Sequence, residues 1–203
     1  MAETYQPSLR AQILTRRTYN RALNEEGTQF ETWAQTVDRV IEHQRWLWKR
    51  QLRRPLNKTQ EAELEELRGL LLARKVGVAG RTLWLGGTEI AKVREACQFN
   101  CAHLEIQTVD DMVDALWLLL QGCGVGVTPK SGGISGFTQP ILDVQIIRST
   151  RQDKNGRETN LETWNPETKE WTISVGDTAE AWAKSVGKLL AGKYTAEKLT
   201  LDF

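Results

Sequence analysis

The sequence places Cys101 on a short apolar segment, with further cysteines before and after it at Cys97 and Cys123. Redox chemistry is open to a cysteine whose thiol ionises and can reach a partner sulfur. His103 lies two positions further on, which on an extended strand is the same face and about 7 Å away. Its charge can therefore tune the Cys101 thiol. On these residues alone, a redox role for Cys101 competes with the commoner role of a buried, unreactive side chain.

A metal site is the second chemistry that this cluster suggests. Cys97, Cys101 and His103 would share one strand face, and Cys123 would complete a set of four ligands. An extended strand, however, spreads such ligands over about 20 Å, too far for one zinc ion. We therefore predict no metal site. The odd number of cysteines, in a chain without a secretion signal, also argues against a framework of structural disulfides.

Phosphate binding is the third chemistry, since glycine-rich turns offer backbone amides. The candidates are Gly122–Gly126 and the glycines between Gly132 and Gly136. Neither is followed by the Gly-Lys-Ser/Thr of a P-loop, and the third glycine of a dinucleotide fingerprint is missing. Taken as isolated motifs, both segments are interpreted as tight turns.

The first 78 residues are predicted to be helical and to form the first domain. Apolar residues recur at helical spacing from Trp33 to Ile41. A further helix is predicted to begin at Asn57, with Gln60 completing a capping box. The tryptophans and cations between Trp46 and Arg54 resemble a basic aromatic patch, but we interpret them as a helix whose cations face solvent.

Residues 79–203 are predicted to form an α/β layer. We predict short strands at 82–85 and 99–106, then a helix capped by Asp110 or Asp111 that ends at Gly122. Its predicted buried stripe is Val113, Leu116, Trp117 and Leu120.

The rest of this region alternates strands with a polar insertion near 148–172, whose turn signals are Asn155-Gly156 and Asn165-Pro166. A strand is predicted around 142–146. A helix capped by Asp177, with Glu180 at its third position, is predicted to bury Trp182, Val186, Leu189 and Leu190. An alternating strand over 198–203 ends the sequence.

Composition excludes several classes of function. The formal charge is +1, which gives no electrostatic case for nucleic acid as a partner. No apolar run reaches the roughly 18 residues of a membrane span, and the first ten residues do not read as a signal peptide. The sequence therefore predicts a cytoplasmic protein with no membrane partner.

Five motifs follow one another in this sequence and are more specific together than singly. They are Arg17-Thr18-Tyr19-Asn20-Arg21, Gly80-Arg81-Thr82-Leu83-Trp84 with Gly86-Gly87-Thr88, Phe99-Asn100-Cys101-Ala102, Leu118–Gly126, and Gly176-Asp177-Thr178-Ala179-Glu180-Ala181-Trp182. In this order they resemble the motifs of adenosylcobalamin-dependent (class II) ribonucleotide reductases, nearest to the monomeric ribonucleoside-triphosphate type. Cys123 stands where serine is common in that family.

The resemblance implies a fold, a reaction and a cofactor. The fold is a ten-stranded α/β barrel preceded by helices, of which this chain supplies the helices and the first strands, so the barrel is incomplete. The reaction replaces the ribose 2′-hydroxyl by hydrogen through a thiyl radical that adenosylcobalamin generates. Cys101 corresponds to one of two reducing cysteines, and Thr88 and Asn100 match positions that line the nucleotide pocket.

The resemblance also implies partners. These are a ribonucleotide substrate, a nucleotide effector, a thioredoxin-type reductant and the C-terminal remainder of the reductase, which we expect because the sequence stops on a strand. The segment 132–171 falls where the family builds effector-binding surface. Barrel strands without their neighbours leave edges exposed, so we expect poor solubility in isolation.

Departures from the family matter equally. The thiyl cysteine, the second reducing cysteine and the catalytic asparagine and glutamate have no match in this chain, which is therefore predicted to be inactive alone. Cys97 and Cys123 match no family position and are interpreted as structural. Two alternatives stay open: a non-catalytic nucleotide-binding or assembly module, and a small thiol oxidoreductase. The second is disfavoured because Cys97 and Cys101 would lie about 13 Å apart on a strand.

Overall fold

A computed structural model describes residues 6–138, 141, 143–149 and 156–203. The chain divides by its internal contacts into two compact units, Met1–Phe99 and Asn100–Phe203. The predicted domain boundary after residue 78, between a helical region and an α/β layer, stays a prediction. No helix in the described ranges combines the length and the apolar character that a membrane crossing needs.

The first unit begins with three helices, α1 (Leu9–Thr18), α2 (Trp33–Leu52) and α3 (Lys58–Leu72). Helices α2 and α3 pack together through a core of Val37, Ile41, Leu64 and Leu71. The predicted capping box at Asn57 is present, because the Asn57 side chain accepts from the Gln60 amide and the Gln60 side chain accepts from the Asn57 amide. The prediction of a helical first region is confirmed.

The predicted strand at 82–85 is wrong. This segment is a short helix, α4 (Gly80–Leu85), followed by α5 (Glu89–Val93) and a 3-10 turn at Glu95–Gln98. Four residues, of which three are apolar, are too few to show a period of two or of 3.6. The helix buries Leu83 and Leu85 and leaves Trp84 half exposed.

A buried ion pair joins separate parts of the first unit. Arg39 on α2 bonds the Glu31 carboxylate through Nε (2.7 Å) and Nη2 (3.0 Å), and both side chains are almost fully buried. The same guanidinium donates to the carbonyls of Leu83 (2.9 Å), Gly86 and Tyr19 (3.3 Å). Arg39 therefore ties the turn after α4 to the segment after α1.

Glu31 stays ionised despite its burial. Burial works to raise the pKa of its carboxyl, but hydrogen bonds from Arg39, the Arg21 amide and the Thr36 hydroxyl outweigh it and hold the pKa below its ordinary value. The carboxylate is thus fully paired, as a buried charge must be.

The second unit begins with a β-α-β arrangement. Strand β1 (Cys101–Ile106), helix α6 (Val109–Leu120) and strand β2 (Gly124–Pro129) follow one another, and the two strands pair in parallel. The predicted strand and the glycine end of the helix are confirmed, with Gly122 at a φ of 86°. The predicted cap is wrong by two or three positions, since Thr108 caps α6 and Asp111 is the third residue of a capping box.

A second sheet of four strands follows, in the order β3 (Asp143–Ile147), β6 (Lys198–Asp202), β5 (Glu170–Ser174) and β4 (Leu161–Asn165). Strands β4 and β5 form an antiparallel hairpin, and the other pairs are parallel. Its core holds Trp171, Ile173, Leu199 and Leu201. The predicted strand at 142–146 and the final strand are confirmed over the described residues, and so is the hairpin turn at Asn165. Asn155 and Leu142 lie outside the described residues.

Helix α7 (Ala179–Ala191) packs against this sheet and against α6. Its cap is Thr178, not the predicted Asp177, so Glu180 is its second residue. Trp182 was predicted to be buried but is 43% exposed, whereas Ala181, Ala183 and Ser185 are buried. On α6, Leu120 was also predicted to be buried and is 42% exposed.

Ala181 belongs to the core of the four-stranded sheet, whereas Gly187 lies where α7 approaches α6 very closely. A Cβ on Gly187 would come within 2.6 Å of a Val113 methyl carbon. The prediction of buried residues relied on side-chain hydrophobicity, which does not indicate how closely two helices approach each other. The described residues thus form an α/β arrangement with two separate sheets and no closed barrel, which agrees with the predicted incomplete fold.

Candidate functional site

Cys101 is the first residue of β1 and its side chain is exposed. The prediction that Cys101 and His103 share one face of the strand is confirmed. Cys101, His103 and Glu105 are exposed, whereas Ala102 and Leu104 are half-buried. The thiol therefore lies on the open face of the strand pair and is accessible to reagents and partners.

The neighbouring strand places no side chain opposite Cys101 or His103. Cys101 pairs with Gly124, and His103 pairs with Gly126. The Gly124 amide donates to the Asn100 carbonyl at 2.8 Å, which fixes the register at the start of β1. We call Cys101, His103, Gly124 and Gly126 the glycine strip. Two glycines opposite two reactive side chains allow a ligand to approach the backbone closely.

The imidazole of His103 extends from β1 towards β2. Its Nε2 is hydrogen-bonded to the Thr128 hydroxyl at 3.0 Å. A Cβ built on Gly126 would lie 3.3 Å from Cδ2 of the ring, so the ring edge rests above Gly126. The bond to Thr128 on β2 therefore fixes the ring orientation, a detail that the sequence did not predict.

The two predicted nucleotide contacts lie in different units. Asn100 directly precedes Cys101 and is exposed. Thr88 caps α5 in the first unit, where its hydroxyl donates to the Leu85 carbonyl (2.6 Å) and accepts from the Ala91 amide (3.3 Å). Its hydroxyl thus has a local structural role, whatever else it contacts.

The other two cysteines are buried, Cys97 at 8% exposure and Cys123 at 4%. Cys97 lies in the 3-10 turn, so the assumption that it shares an extended strand with Cys101 is wrong. Within the described part of the chain, no three His, Cys, Asp or Glu side chains are grouped so as to hold a metal ion.

Arg81 holds the backbone that leads to Asn100, a role that sequence reasoning missed. Its Nη1 donates to the carbonyls of Cys97 (3.0 Å) and Phe99 (3.2 Å). The arginine of the Gly-Arg-Thr-Leu-Trp motif was the available signal, but spacing alone could not show which carbonyls it reaches.

His43 lies under the same segment and is 4% exposed. The Gln98 side chain bonds its Nε2 at 3.2 Å, Nδ1 has no hydrogen-bond partner, and Trp46 stacks on the ring. Burial lowers the pKa of His43. The Gln98 bond and the charge of Glu95 oppose that effect, and the cations Lys92 and Arg50 add to it.

Stability is expected to fall on acidification because of His43. The pKa of His43 is lower in the folded protein than in the unfolded chain, where it is about 6.5. As pH falls below that value, the unfolded chain binds the proton first, which lowers the free energy of unfolding. The contribution of neutral His43 to stability is therefore complete above about pH 6.5 and is lost as pH falls towards the folded pKa. The slope is at most about 1.4 kcal/mol per pH unit. Urea unfolding at pH 7.5, 6.5 and 5.5 should show this slope, and it should be reduced in His43→Gln. An equal slope in both proteins would contradict the assignment.

Comparison with known proteins places these features in a family context. Residues 3–88 match the family model of the ribonucleotide reductase alpha domain. The chain is 26% identical over 232 residues to an adenosylcobalamin-dependent ribonucleoside-triphosphate reductase of Lactobacillus gasseri, covering 94% of this chain and 31% of that protein.

A solved structure shares the fold of the chain. It is a B12-dependent (class II) ribonucleotide reductase with a TM-score of 0.74 at 22% identity, and the match covers 95% of this chain and 32% of that one. The chain thus spans about a third of the length of the relatives it matches. The predicted resemblance is confirmed.

Proposed function

We infer that this chain belongs to the ribonucleotide reductase family and supplies the N-terminal part of an adenosylcobalamin-dependent reductase. The observation that carries this proposal is the exposed Cys101 thiol on the glycine strip, within a chain that matches such a reductase over 94% of its residues. The order of the five motifs supports it.

The proposed role of Cys101 is reductive. Two cysteine thiols supply two electrons and two protons, the ribose 2′-hydroxyl leaves as water, hydrogen replaces it, and the two sulfurs join as a disulfide. Cys101 is one of the two thiols, and the other lies in the remainder of the reductase. Exposure suits both this step and the later reduction of the disulfide by a thioredoxin-type dithiol, because thiol–disulfide exchange requires direct access to a sulfur.

The glycine strip supports a nucleotide site beside the thiol. Gly124 and Gly126 present no side chains next to Cys101, so a ribose can lie against the backbone there. Asn100 adds an exposed amide at the start of the strand, and Thr88 is retained as a proposed nucleotide contact. The effector is proposed to contact the region 132–171.

Adenosylcobalamin, when bound, supplies the radical that starts the reaction. An exposed thiol above bare glycine backbone fits the reductive role rather than contact with a large corrin. We propose that most residues that hold the cofactor belong to the remainder of the reductase.

The chain alone is proposed to be inactive. It has three cysteines, and Cys97 and Cys123 are buried, which leaves Cys101 as the exposed thiol. One accessible thiol supplies one of the two electrons that the reduction needs, so a second reducing cysteine is required. The proposed reaction also requires a third cysteine, which carries the radical.

Reconstitution tests this function. The chain is mixed with the complementary C-terminal segment, adenosylcobalamin, a dithiol and a ribonucleoside triphosphate, and deoxyribonucleotide is measured by chromatography. We expect product only when both polypeptides are present. A complex that binds nucleotide but forms no product would instead indicate the non-catalytic module, and product from the C-terminal segment alone would exclude a role for this chain.

A further inference from the structure

His103 shares the open face of the strand pair with Cys101, and the proposed reaction gives it no role. Helix α6 packs against the two strands, and Ile106 on the opposite face is buried. His103, Gly124, Gly126 and Thr128 are all exposed. A polar group that is fixed in place on an open face is suited to contact a ligand rather than to fill a core.

The His103 ring directs its Nδ1 away from β2. Its Cδ2 is the atom nearest Gly126, and Nε2 is used by the Thr128 hydroxyl. Nδ1 lies on the opposite edge of the imidazole from Cδ2, so it faces away from β2. The Thr128 bond thus orients the ring so that Nδ1 lies on its β1 side, on the exposed face that also carries Cys101.

Charge indicates which part of a nucleotide this nitrogen contacts. Glu105 is on the same face, pairs with Thr128 in the strand register and is exposed. Its carboxylate repels phosphate groups, so the anionic end of a nucleotide is disfavoured there. A ribose hydroxyl is neutral and both donates and accepts, and therefore suits an imidazole nitrogen in either tautomer.

We propose that His103 is a substrate-binding residue that hydrogen-bonds a ribose hydroxyl of the nucleotide through Nδ1, and that Thr128 positions its ring. This rests on the proposed function and assigns a contact within that site. It makes His103 a determinant of substrate affinity rather than of the chemical step.

The test uses the reconstituted reductase. Variants His103→Leu and Thr128→Val remove the contact and the positioning bond, and Thr128→Ser retains a hydroxyl. The control is Asp110→Asn, at an exposed position of α6, which packs against the opposite face of the strands. Loss of one hydrogen bond is expected to raise KM for the ribonucleotide about three- to tenfold in His103→Leu and less in Thr128→Val, with kcat within about twofold. Because Thr128→Ser retains the hydroxyl, its KM should match that of the unsubstituted protein. Circular dichroism checks that each variant is folded.

A second readout does not depend on turnover. The rate of Cys101 alkylation by iodoacetamide is measured with ribonucleotide and with its 2′-deoxy and 3′-deoxy analogues. In the unsubstituted protein the ribonucleotide should protect better than one of the analogues, and His103→Leu should abolish that difference. A difference retained in His103→Leu would overturn the His103 assignment alone. No protection of unsubstituted Cys101 by any nucleotide would overturn the proposed function, and this assignment with it.

Discussion

Replacing Cys101 with serine is expected to abolish deoxyribonucleotide formation by the reconstituted reductase over multiple turnovers. A hydroxyl cannot give up the electrons that form a disulfide, although it fills nearly the same space. Because Cys101 is exposed at the start of β1, the substitution should leave the free energy of unfolding nearly unchanged. Multiple-turnover assays with a dithiol, together with urea unfolding, measure both quantities.

Cys123→Ser is the matched control, since Cys123 is buried and lies in the same unit. It is expected to lower stability by about 1–3 kcal/mol, because a hydroxyl replaces a buried thiol, while kcat is largely retained at a temperature where the variant is folded. The opposite pattern, with activity retained in Cys101→Ser and lost in Cys123→Ser, would contradict the assignment of the chemistry to Cys101.

Gly87→Ala is expected to destabilise the first unit by about 2–4 kcal/mol, adding left-handed backbone strain to overpacking. Gly87 has a φ of 80°, and a Cβ there would lie 2.6 Å from Cγ and 2.8 Å from the backbone carbonyl oxygen of Arg39. The side chain can shift, but the carbonyl belongs to α2. Urea unfolding followed by circular dichroism measures the loss.

Gly77→Ala provides the comparison for that substitution. Its Cβ would meet nothing within 4 Å, and its φ lies outside the left-handed region. The change should be neutral or stabilising by about 0.4–1 kcal/mol, because alanine restricts the unfolded chain. Equal effects of the two substitutions would mean that the turn does not pack on Arg39 as described.

Periodicity and capping chemistry predicted the larger elements well. The α2–α3 pair follows from apolar spacing and from Asn57, and the alternation of β1 correctly placed Cys101 and His103 on one face of the strand. These features depend on residues near one another in sequence. The family motifs then identified Cys101 as the residue to test.

Features set by distant residues could not be predicted in this way. Helix α4 is held by the carbonyl contacts of Arg39, which lies about forty residues earlier in sequence than Leu83. The His103–Thr128 bond depends on the register between β1 and β2, which a single strand does not reveal. The burial of Ala181 depends on the sheet core that it joins, and Gly187 lies where α7 closely approaches Val113 of α6.

The structure also explains two motifs whose function the sequence left open. The Tyr19 and Arg21 backbone of the first motif and the Leu83 and Gly86 carbonyls of the second all bond the Glu31–Arg39 pair. Tyr19 and Gly86, which belong to different motifs, are therefore joined by a buried ion pair that neither motif contains. These parts of the two motifs are structural, and the proposed chemistry is assigned to the Cys101 segment.

The most direct test of the account is a single turnover of the reconstituted reductase without added dithiol, followed by alkylation and peptide mapping. We expect Cys101 to be recovered in a disulfide with a cysteine of the C-terminal segment, in proportion to the deoxyribonucleotide formed, while Cys97 and Cys123 are recovered as alkylated thiols. Product formation with Cys101 recovered as a free thiol would contradict the account.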